Sequence, residues 1–551
     1  MSRHVASTTK ALGIALAWGG LLATPALAQT SPEGPIRRLS IQDAVSLALE
    51  QNLTVQVERL NPRISDLSIA QARTAWTPSI GTTFSTTGTD SPVNSFLVAA
   101  EGGANKTTDR RLTTEVSYTQ LFEWGGTASA SWDNSRQTSN SLFTNFNPTL
   151  RSNMSFQYFQ PLLRNRKIDS ARQQLLVTNK NREISDVQFR QTVVTTTRSV
   201  KSAYWDFAYA VGSLALNQQS LNLARQSLRD TRARVEIGTM APIDIVEADA
   251  EVAAREEGVI VAQAAIEQAE DRLRALVLDP SVPDFWGTRL ELTDTAPFQV
   301  APIDLDAAVR NALDVRTDLR QARKSLESND INLRYARNQT LPDVDVQVNY
   351  GVTGLGGTQF VRGAGFPGPI VDQINRGYGS VLGDLLKNDF PNWSLSLSIG
   401  YPIGQANAEA NLARARLQYQ QSEIQIKNIE LQVATQVRDA ARQVNTNAKR
   451  VETTRAAREL NERRLQAEQR KFAAGTSTSF FVFQAQRDLA QAQNNELRST
   501  LDYSKSLVDF ETVQESSLGG GSGTITVAAS GASAAGAATL QQPSAQTQLP
   551  F

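Results

Sequence analysis

The chain has 551 residues, with 55 basic and 55 acidic side chains, so its formal net charge is zero. Nothing in that balance indicates a nucleic-acid partner. Cysteine is absent, and the single histidine is His4. Disulfides, thiol nucleophiles, Cys/His zinc sites and Ser-His-Asp chemistry are therefore excluded after that position. We predict a protein that is not an enzyme and that has neither a cofactor nor a metal.

The first 28 residues have the three parts of a secretory signal peptide. Arg3 and Lys10 supply its positive charge. Residues 11–23 form its apolar stretch, and the "ALA" at 26–28 is its cleavage site. We expect cleavage before Gln29 and export. No later run of 18 apolar residues predicts a helical span, whereas a β-barrel span stays open because each strand gives a weak signal.

The rest of the chain contains one pattern twice, which predicts a tandem duplication. We expect a first repeat over 29–279, a linker over 280–302 and a second repeat over 303–516. The tail, 517–551, is rich in Gly, Ala, Ser and Gln, and we expect it to be disordered. Three pairs of segments match in the same order: "LSIQDAVSLAL" (39–49) with "IDLDAAVRNAL" (303–313), "QARTAWTPSI" (71–80) with "YARNQTLPDV" (335–344), and "VEIGTMAPIDIVEADAEVA" (235–253) with "FAAGTSTSFFVFQAQRDLA" (472–490).

Apolar and small residues recur at 3-4 spacing between Val200 and Val235, and again between Ile245 and Leu276. This periodicity is typical of coiled coils, and the small residues allow close helix approach. A helix from about 185 to 236 would be roughly 75 Å long. We therefore expect long helical hairpins, with tips near 238 and 475.

Strand periodicity appears at 343–352 and 393–401, where apolar and polar residues alternate. Such segments suit a barrel wall between lipid and a wet lumen, although a soluble sandwich strand has the same pattern. The first repeat has more residues between its flanking prolines, which fits one extra hairpin closing at "FEWGG" (122–126); its place in the barrel stays open. The first-repeat candidates, within 80–160, are 80–89, 112–122, 127–135 and 152–160.

These features resemble the TolC-like outer-membrane efflux channels, over about residues 39–512. The most specific segments are "ARTAWTPSI" with "ARNQTLPDV" and the two Gly-Thr turns, "RVEIGTMAPIDIVEA" and "KFAAGTSTSFFVFQA". "YTQLFEWGG" and "YFQPLLRN" look like the strand-to-helix exits of that family.

The resemblance implies an α+β membrane protein that forms a homotrimer. Its strands, about four per protomer, pool into one outer-membrane β-barrel in contact with lipid, and the place of the extra hairpin of this chain stays open. Its helices continue as a coiled-coil barrel through the periplasm of a Gram-negative-type envelope. A periplasmic adaptor and an inner-membrane transporter of the RND, ABC or MFS class dock there. The protein is then the passive exit duct of a tripartite efflux or type I secretion system.

The same resemblance makes the Gly-Thr turns the periplasmic tips that meet the adaptor. A plain helical hairpin needs Gly and Thr there for backbone reasons too, since Gly adopts the left-handed conformation and the threonine could help cap the next helix. The expected tip residues are Ile237, Gly238, Thr239, Ala474, Gly475 and Thr476.

Residues just beyond each glycine are the candidates for the closing aperture. The family's first-repeat aspartate is kept as Asp244, but Ser477, Phe481 and Gln484 stand where the second repeat usually carries charge. We therefore expect the usual interhelix ion link to be missing. Our hypothesis is a partly apolar gate that closes by dewetting, with charge from the first repeat. Its residues are Asp244, Glu247, Phe480, Phe481 and Gln484, and the alternative is that the phenylalanines pack between helices.

Two other functional classes stay open. Carboxylates at Asp343 and Asp345 are compatible with glycosidic chemistry, but their spacing on a strand indicates one polar lumen face, continued by Gln347 and Asn349. A periplasmic coiled-coil scaffold, or the adaptor itself, also uses long helical hairpins. An adaptor has one hairpin flanked by β domains, whereas this chain has two hairpins in tandem.

Overall fold

The computed structural model describes residues 36–93, 100, 104–281, 285–294, 298–300, 302–401, 403–404 and 406–518. The expected signal peptide lies outside the described residues, as do parts of the expected linker and the tail beyond residue 518.

The described chain is built from long helices and one large sheet. The helices are α1 Ile41–Gln51, α2 Leu53–Arg73, α3 Ser170–Glu236, α4 Ile243–Val277, α5 Leu305–Val315, α6 Thr317–Gln339, α7 Tyr378–Lys387, α8 Ala406–Ala473 and α9 Ser479–Glu515. The strands are β1 Ile36–Leu39, β2 Ser79–Pro92, β3 Lys106–Leu121, β4 Thr127–Ser139, β5 Phe146–Pro161, β6 Arg289–Leu292, β7 Asp343–Arg362, β8 Ile370–Arg376 and β9 Pro391–Gly400.

The duplication is visible in the order of the elements. Each half runs through two short helices, a set of strands, a very long helix and a shorter returning helix. Equivalent helices also begin alike. Ser40 caps α1 through a capping box with Asp43, and Asp304 caps α5 by accepting from the backbone N–H of Ala307.

The long helices α3 and α8 have 67 and 68 residues. At 1.5 Å per residue each is about 100 Å long. The helix expected from about residue 185 therefore begins earlier, at Ser170, where the Asp169 side chain accepts from the backbone N–H of Arg172. Helix α4 returns along α3, and α9 returns along α8. Close to the sheet, α2 packs on α3, and α6 packs on both α3 and α8.

The sheet is antiparallel throughout and joins the two repeats. Its strand order is β2-β3-β4-β5-β7-β8, and β9 also pairs with β7. The first ten residues of β7 pair with β9, and its last six pair with β8. The extra hairpin of the first repeat, β3–β4, thus lies within the sheet, between β2 and β5.

Several elements were not expected from the sequence. Strands β1 and β6 form a small parallel sheet, β7 runs ten residues past its expected end, and α7 packs on β5 and β7. Val381 of α7 is fully buried over two glycines of β7. A Cβ at Gly354 would lie 2.2 Å from the Val381 carbonyl oxygen, so close approach requires glycine there.

Four charged residues clamp α3 to α6. Lys180 lies 2.9 Å from Glu183 and 2.7 Å from Glu327, and Lys324 lies 2.8 Å and 3.2 Å from the same two carboxylates. We call Lys180, Glu183, Lys324 and Glu327 the charge square. Hydrogen bonds from the two lysines hold the pKa values of both carboxyl groups below their usual range. The bond from Lys324 has the larger effect on Glu183, and the bond from Lys180 has the larger effect on Glu327.

Because these carboxyl pKa values are lower in the folded state, the charge square stabilises the protein above pH 4.5 and loses its effect as pH falls through the lowered values. We expect Glu183→Gln to lower the free energy of unfolding by about 1 kcal/mol at pH 7, since the network is partly exposed. Thermal unfolding followed by circular dichroism should show this difference shrinking as the pH falls below 4.5.

Glu423→Gln on α8, an exposed glutamate outside the square, is the matched control and should have no such effect. A destabilisation by Glu183→Gln that persists unchanged at pH 3 would contradict the electrostatic origin.

Candidate gate at the tips of the helical hairpins

Both helical hairpins reverse through the same backbone motif. Gly238 and Gly475 have φ values of +77° and +74°. The N–H of Gly238 donates to the Val235 carbonyl and the next N–H donates to the Arg234 carbonyl, both at 2.9 Å. The second tip repeats this pair of bonds at 3.1 Å and 2.9 Å. This is the Schellman motif, in which a left-handed glycine satisfies the last carbonyls of a helix.

The threonine after each glycine caps the preceding helix. Thr239 Oγ1 donates to the Arg234 carbonyl at 2.9 Å, and Thr476 Oγ1 donates to the Lys471 carbonyl at 3.1 Å. Our expectation that these threonines cap the following helix was therefore wrong. The reason is geometric, because the left-handed glycine folds the hydroxyl back over the helix that has just ended.

Each expected tip residue is exposed in the protomer. Ile237 is 74% exposed, and an added Cβ on either tip glycine would meet no atom within 4 Å. Thr239, Ala474, Gly475 and Thr476 are exposed as well. The two tips therefore offer open backbone and small side chains to a partner.

Asp244 connects the two hairpins of one protomer. Its Oδ2 accepts from the backbone N–H of Ala241 at 3.1 Å, which fixes the start of α4. Its Oδ1 accepts from Ser479 Oγ, the first residue of α9, at 3.0 Å. The carboxylate thus holds the beginnings of both returning helices together. Glu247, one turn further on, is exposed and has no polar partner among the described residues.

The phenylalanines of the second tip separate into two environments. Phe480 and Phe481 are 52% and 53% exposed and meet edge to face, with ring centroids 5.6 Å apart. Phe483 is 6% exposed and packs with Leu228 and Ala248 of the first hairpin. The helix thus places Phe480 and Phe481 outside and Phe483 between the hairpins.

Gln484 belongs to a polar chain along α9. Its Nε2 donates to Asp488 at 2.9 Å, and its Oε1 accepts from Arg487 at 3.2 Å. Ser477, in the position where the family usually has arginine, donates to Glu468 of its own hairpin at 3.0 Å. The pKa of Glu468 is held below its usual range by hydrogen bonds from Lys471 first and then from that serine.

Glu251, which was not expected from the sequence, forms an ion pair that links the two hairpins. Glu251 is 7% exposed and lies 2.6 Å from Arg255 of its own helix. Its other oxygen lies 3.3 Å from Arg487 of α9. This is a different ion link from the family's usual one: it lies two turns further from the tip, while Ser477 and Asp244 form no ion pair with each other. Arg487 lies three residues beyond Gln484, the last of the family's charged positions, so the alignment with the family gave no signal for it.

The expected lumen residues share one face of β7. Asp343 pairs with Arg164, Gln347 donates to Asn349 at 3.1 Å, and Asn349 donates to a serine of β9 at 3.0 Å. Asp345 lies on the same face. A polar ladder therefore runs up this side of β7, opposite the valines.

Two features of other protein classes are absent from the described residues, namely an apolar membrane-spanning helix and a metal-binding cluster. No helix among them is both long and apolar enough to cross a bilayer. No group of three or more histidine, cysteine, aspartate or glutamate side chains among them is placed to hold a metal ion.

Solved structures with this fold include outer-membrane channels. The Campylobacter jejuni CmeC outer membrane channel is 12% identical, with 86% of this chain and 85% of that chain covered and a TM-score of 0.59. The outer membrane protein VceC from Vibrio cholerae is 15% identical, with 86% and 96% covered and a TM-score of 0.57. The open state of the Neisseria gonorrhoeae MtrE outer membrane channel is 17% identical, with 86% and 89% covered and a TM-score of 0.54. No curated protein matches this chain.

The model of the outer membrane efflux protein family matches residues 125–277 and 308–513, one segment in each repeat and more than half of the chain. The chain therefore belongs to the outer membrane efflux protein family, whose members are TolC-like channels rather than enzymes. It is an outer-membrane protein that extends into the periplasm.

We predict that Gly238→Ala destabilises the tip of the first hairpin by about 1 kcal/mol, because alanine is strained at a φ of +77° even though space is free. Gly238→Asn should cost less, since asparagine tolerates the left-handed region. Amide hydrogen exchange of the last turn of α3 measures the difference.

The control is Gly383→Ala in α7, where space is equally open and φ lies outside the positive region, so no destabilisation is expected. Equal exchange rates in Gly238→Ala and in the unsubstituted protein would refute the strain argument.

Proposed function

We propose that three copies of this chain form the outer-membrane channel of a tripartite efflux or type I secretion system. Substrates enter from an inner-membrane transporter through a periplasmic adaptor and leave passively. Membership of the family carries the proposal, together with the two long hairpins that end in identical exposed turns. The family match also favours the channel over an adaptor or a scaffold.

The adaptor meets the two tips, Ile237–Thr239 and Ala474–Thr476. Both lie about 100 Å along the helices from the sheet, and neither is covered within the protomer. Small side chains and an open backbone let a partner helix approach closely. The lumen face of the barrel carries Asp343, Asp345, Gln347 and Asn349.

The gate forms where the tips of three protomers converge. Phe480 and Phe481, half-exposed in one protomer, supply the apolar constriction that excludes water. Glu247 and Asp244 supply charge beside it. The bond from Ser479 to Asp244 holds the two hairpins of each protomer in the closed arrangement.

Planar-bilayer recordings of the purified trimer test the gate. We expect Phe480→Ala and Phe481→Ala to raise the closed-state conductance several-fold, because the constriction loses its apolar bulk. Ser479→Ala should raise it as well, since the connection between hairpins is lost. Phe390→Ala is the matched control: this phenylalanine is 55% exposed at the opposite end of the molecule and should leave conductance unchanged. Unchanged conductance in both gate phenylalanine variants would remove the aromatic gate.

Adaptor docking has its own test. Ile237→Arg places a charge on the exposed tip without disturbing protomer packing, so efflux activity in cells and cross-linking to the adaptor should both fall at least several-fold. Ile237→Val should retain both. A heat-modifiable trimer in the outer-membrane fraction must persist in each variant. A soluble periplasmic monomer in the unsubstituted protein would instead rule out the channel.

A further inference from the structure

The hairpin β3–β4 occupies an unexpected position, in the middle of the sheet. Four strands of the sheet connect it to the helices α2, α3, α6 and α8: β2 follows α2, β5 leads to α3, β7 follows α6 and β9 leads to α8. Strands β3 and β4 connect only to other strands. They nevertheless separate β2 from β5, and β3 pairs with β2 along all of Ser79–Pro92.

We propose that this hairpin is part of the membrane wall, so that the barrel has eighteen strands. Six strands per protomer, β2, β3, β4, β5, β7 and β9, stand side by side at the level of the first half of β7, and three copies supply eighteen. The proposal rests on the trimeric channel proposed above. The occupant of both free sheet edges is a second copy of this chain.

The residue pattern across the hairpin matches that of a wall. Side chains in register alternate between the two faces of the sheet in every strand. Two apolar rows, one through Tyr118 and Ala130 and one through Val116 and Trp132, cross both β3 and β4, as expected for a wall that faces lipid on one side. Further from the helices the same face becomes polar, at Thr114 and Asn134. One apolar row consists of Ile80, Tyr118, Ala130, Phe156, Tyr350 and Trp393, and the neighbouring polar row consists of Gly81, Ser117, Ser131, Ser155, Gly351 and Asn392.

Aromatic side chains of the hairpin supply a second argument. The Tyr118 hydroxyl donates to Gln120 at 2.6 Å, toward the helices, and Trp132 Nε1 donates to Ser152 at 3.0 Å, toward the far end. Trp124, at the turn of the hairpin, donates to a tyrosine of β5 at 3.0 Å. Trp132 lies six strand residues, roughly 20 Å, from the turn that holds Trp124, which approaches the height of an apolar band, and amphipathic rings at the two borders of such a band are typical of membrane interfaces. Tyr118 lies one row from Trp132 and therefore within that band. A hairpin folded outside the wall has no use for such rings.

The two edges of the sheet fit each other. Strand β2 runs away from the helices and β9 runs back toward them, so neighbouring copies pair in the antiparallel sense of the whole sheet. Ile80 and Trp393 end the same apolar row at opposite edges, and each is 76% exposed. Unpaired backbone groups on an edge strand are costly in lipid, and a second copy satisfies them.

The circumference of the barrel, compared with that of the helix ring, also supports eighteen strands. Eighteen strands spaced about 4.8 Å apart and tilted about 40° give a circumference of about 113 Å and a diameter of about 36 Å. Twelve strands at that tilt give only about 24 Å. The four helices per protomer that meet the sheet form a ring of twelve, and at about 9.5 Å between axes its circumference is about 114 Å. The wall then continues into the tunnel without a step, and the helix tips alone limit the size of the cargo.

Lipid accessibility tests the proposal, and the lack of cysteine in the chain makes single labels unambiguous. Ala130→Cys and Ser131→Cys place an environment-sensitive dye on the two faces of β4. Leu395→Cys and Ser396→Cys do the same on β9 and serve as the matched pair. Each labelled trimer is reconstituted into phospholipid vesicles with or without brominated acyl chains. We expect bromine to quench the dye at 130 and 395, and aqueous iodide to quench it at 131 and 396.

The outcomes separate the two proposals. Loss of the alternation at 130 and 131, with alternation kept at 395 and 396, overturns the eighteen-strand wall and leaves the channel standing. Loss of alternation in both pairs overturns the membrane channel itself. Electron cryomicroscopy of the trimer in lipid nanodiscs provides the strand count: eighteen is expected, and twelve contradicts the proposal.

Discussion

The whole molecule depends on the need to satisfy backbone hydrogen bonds at the edges of its sheet. Strands β2 and β9 present exposed edges, and a lipid environment offers no water to replace the missing partners. One protomer cannot close a wide barrel with six strands. In the channel proposed above, the membrane therefore imposes oligomerisation on the sheet, and the same closure carries the attached helices into a ring.

The two repeats are held together by contacts at the sheet and along the helices. The pairing of β5 with β7 joins the repeats at the sheet, and the charge square joins them again where α3 meets α6. Far from the sheet, Glu251 and Arg487 connect the two hairpins. Short polar contacts therefore join the two hairpins of one protomer close to their tips as well as at the sheet.

Much of this architecture can be read from one sequence because it depends on local chemistry. The 3-4 spacing in α3 and α4 and the alternation in β7 and β9 are strong periodic signals, and a Gly-Thr pair marks each reversal, where φ must be positive. Helix α7 gave no such signal, because its ten residues are fixed by Gly354 beneath Val381, a contact between distant segments. The contact of Glu251 with Arg487 and the position of β3–β4 also depend on tertiary register. A sequence alone fixes neither.

The two tips differ chemically although their backbones are the same. At the first tip, carboxylates dominate the start of α4; at the second, Phe480 and Phe481 stand at the start of α9, and only the hydroxyl of Ser479 reaches across. A bond from a hydroxyl to a carboxylate that already accepts a backbone N–H is weaker than a bidentate ion pair. With His4 as the single histidine, the chain has no imidazole near the tips that could titrate close to neutral pH. In the channel proposed above, contact with a partner at the exposed turns, three to seven residues from the bond between Ser479 and Asp244, is therefore better placed than a change of pH to release the hairpins.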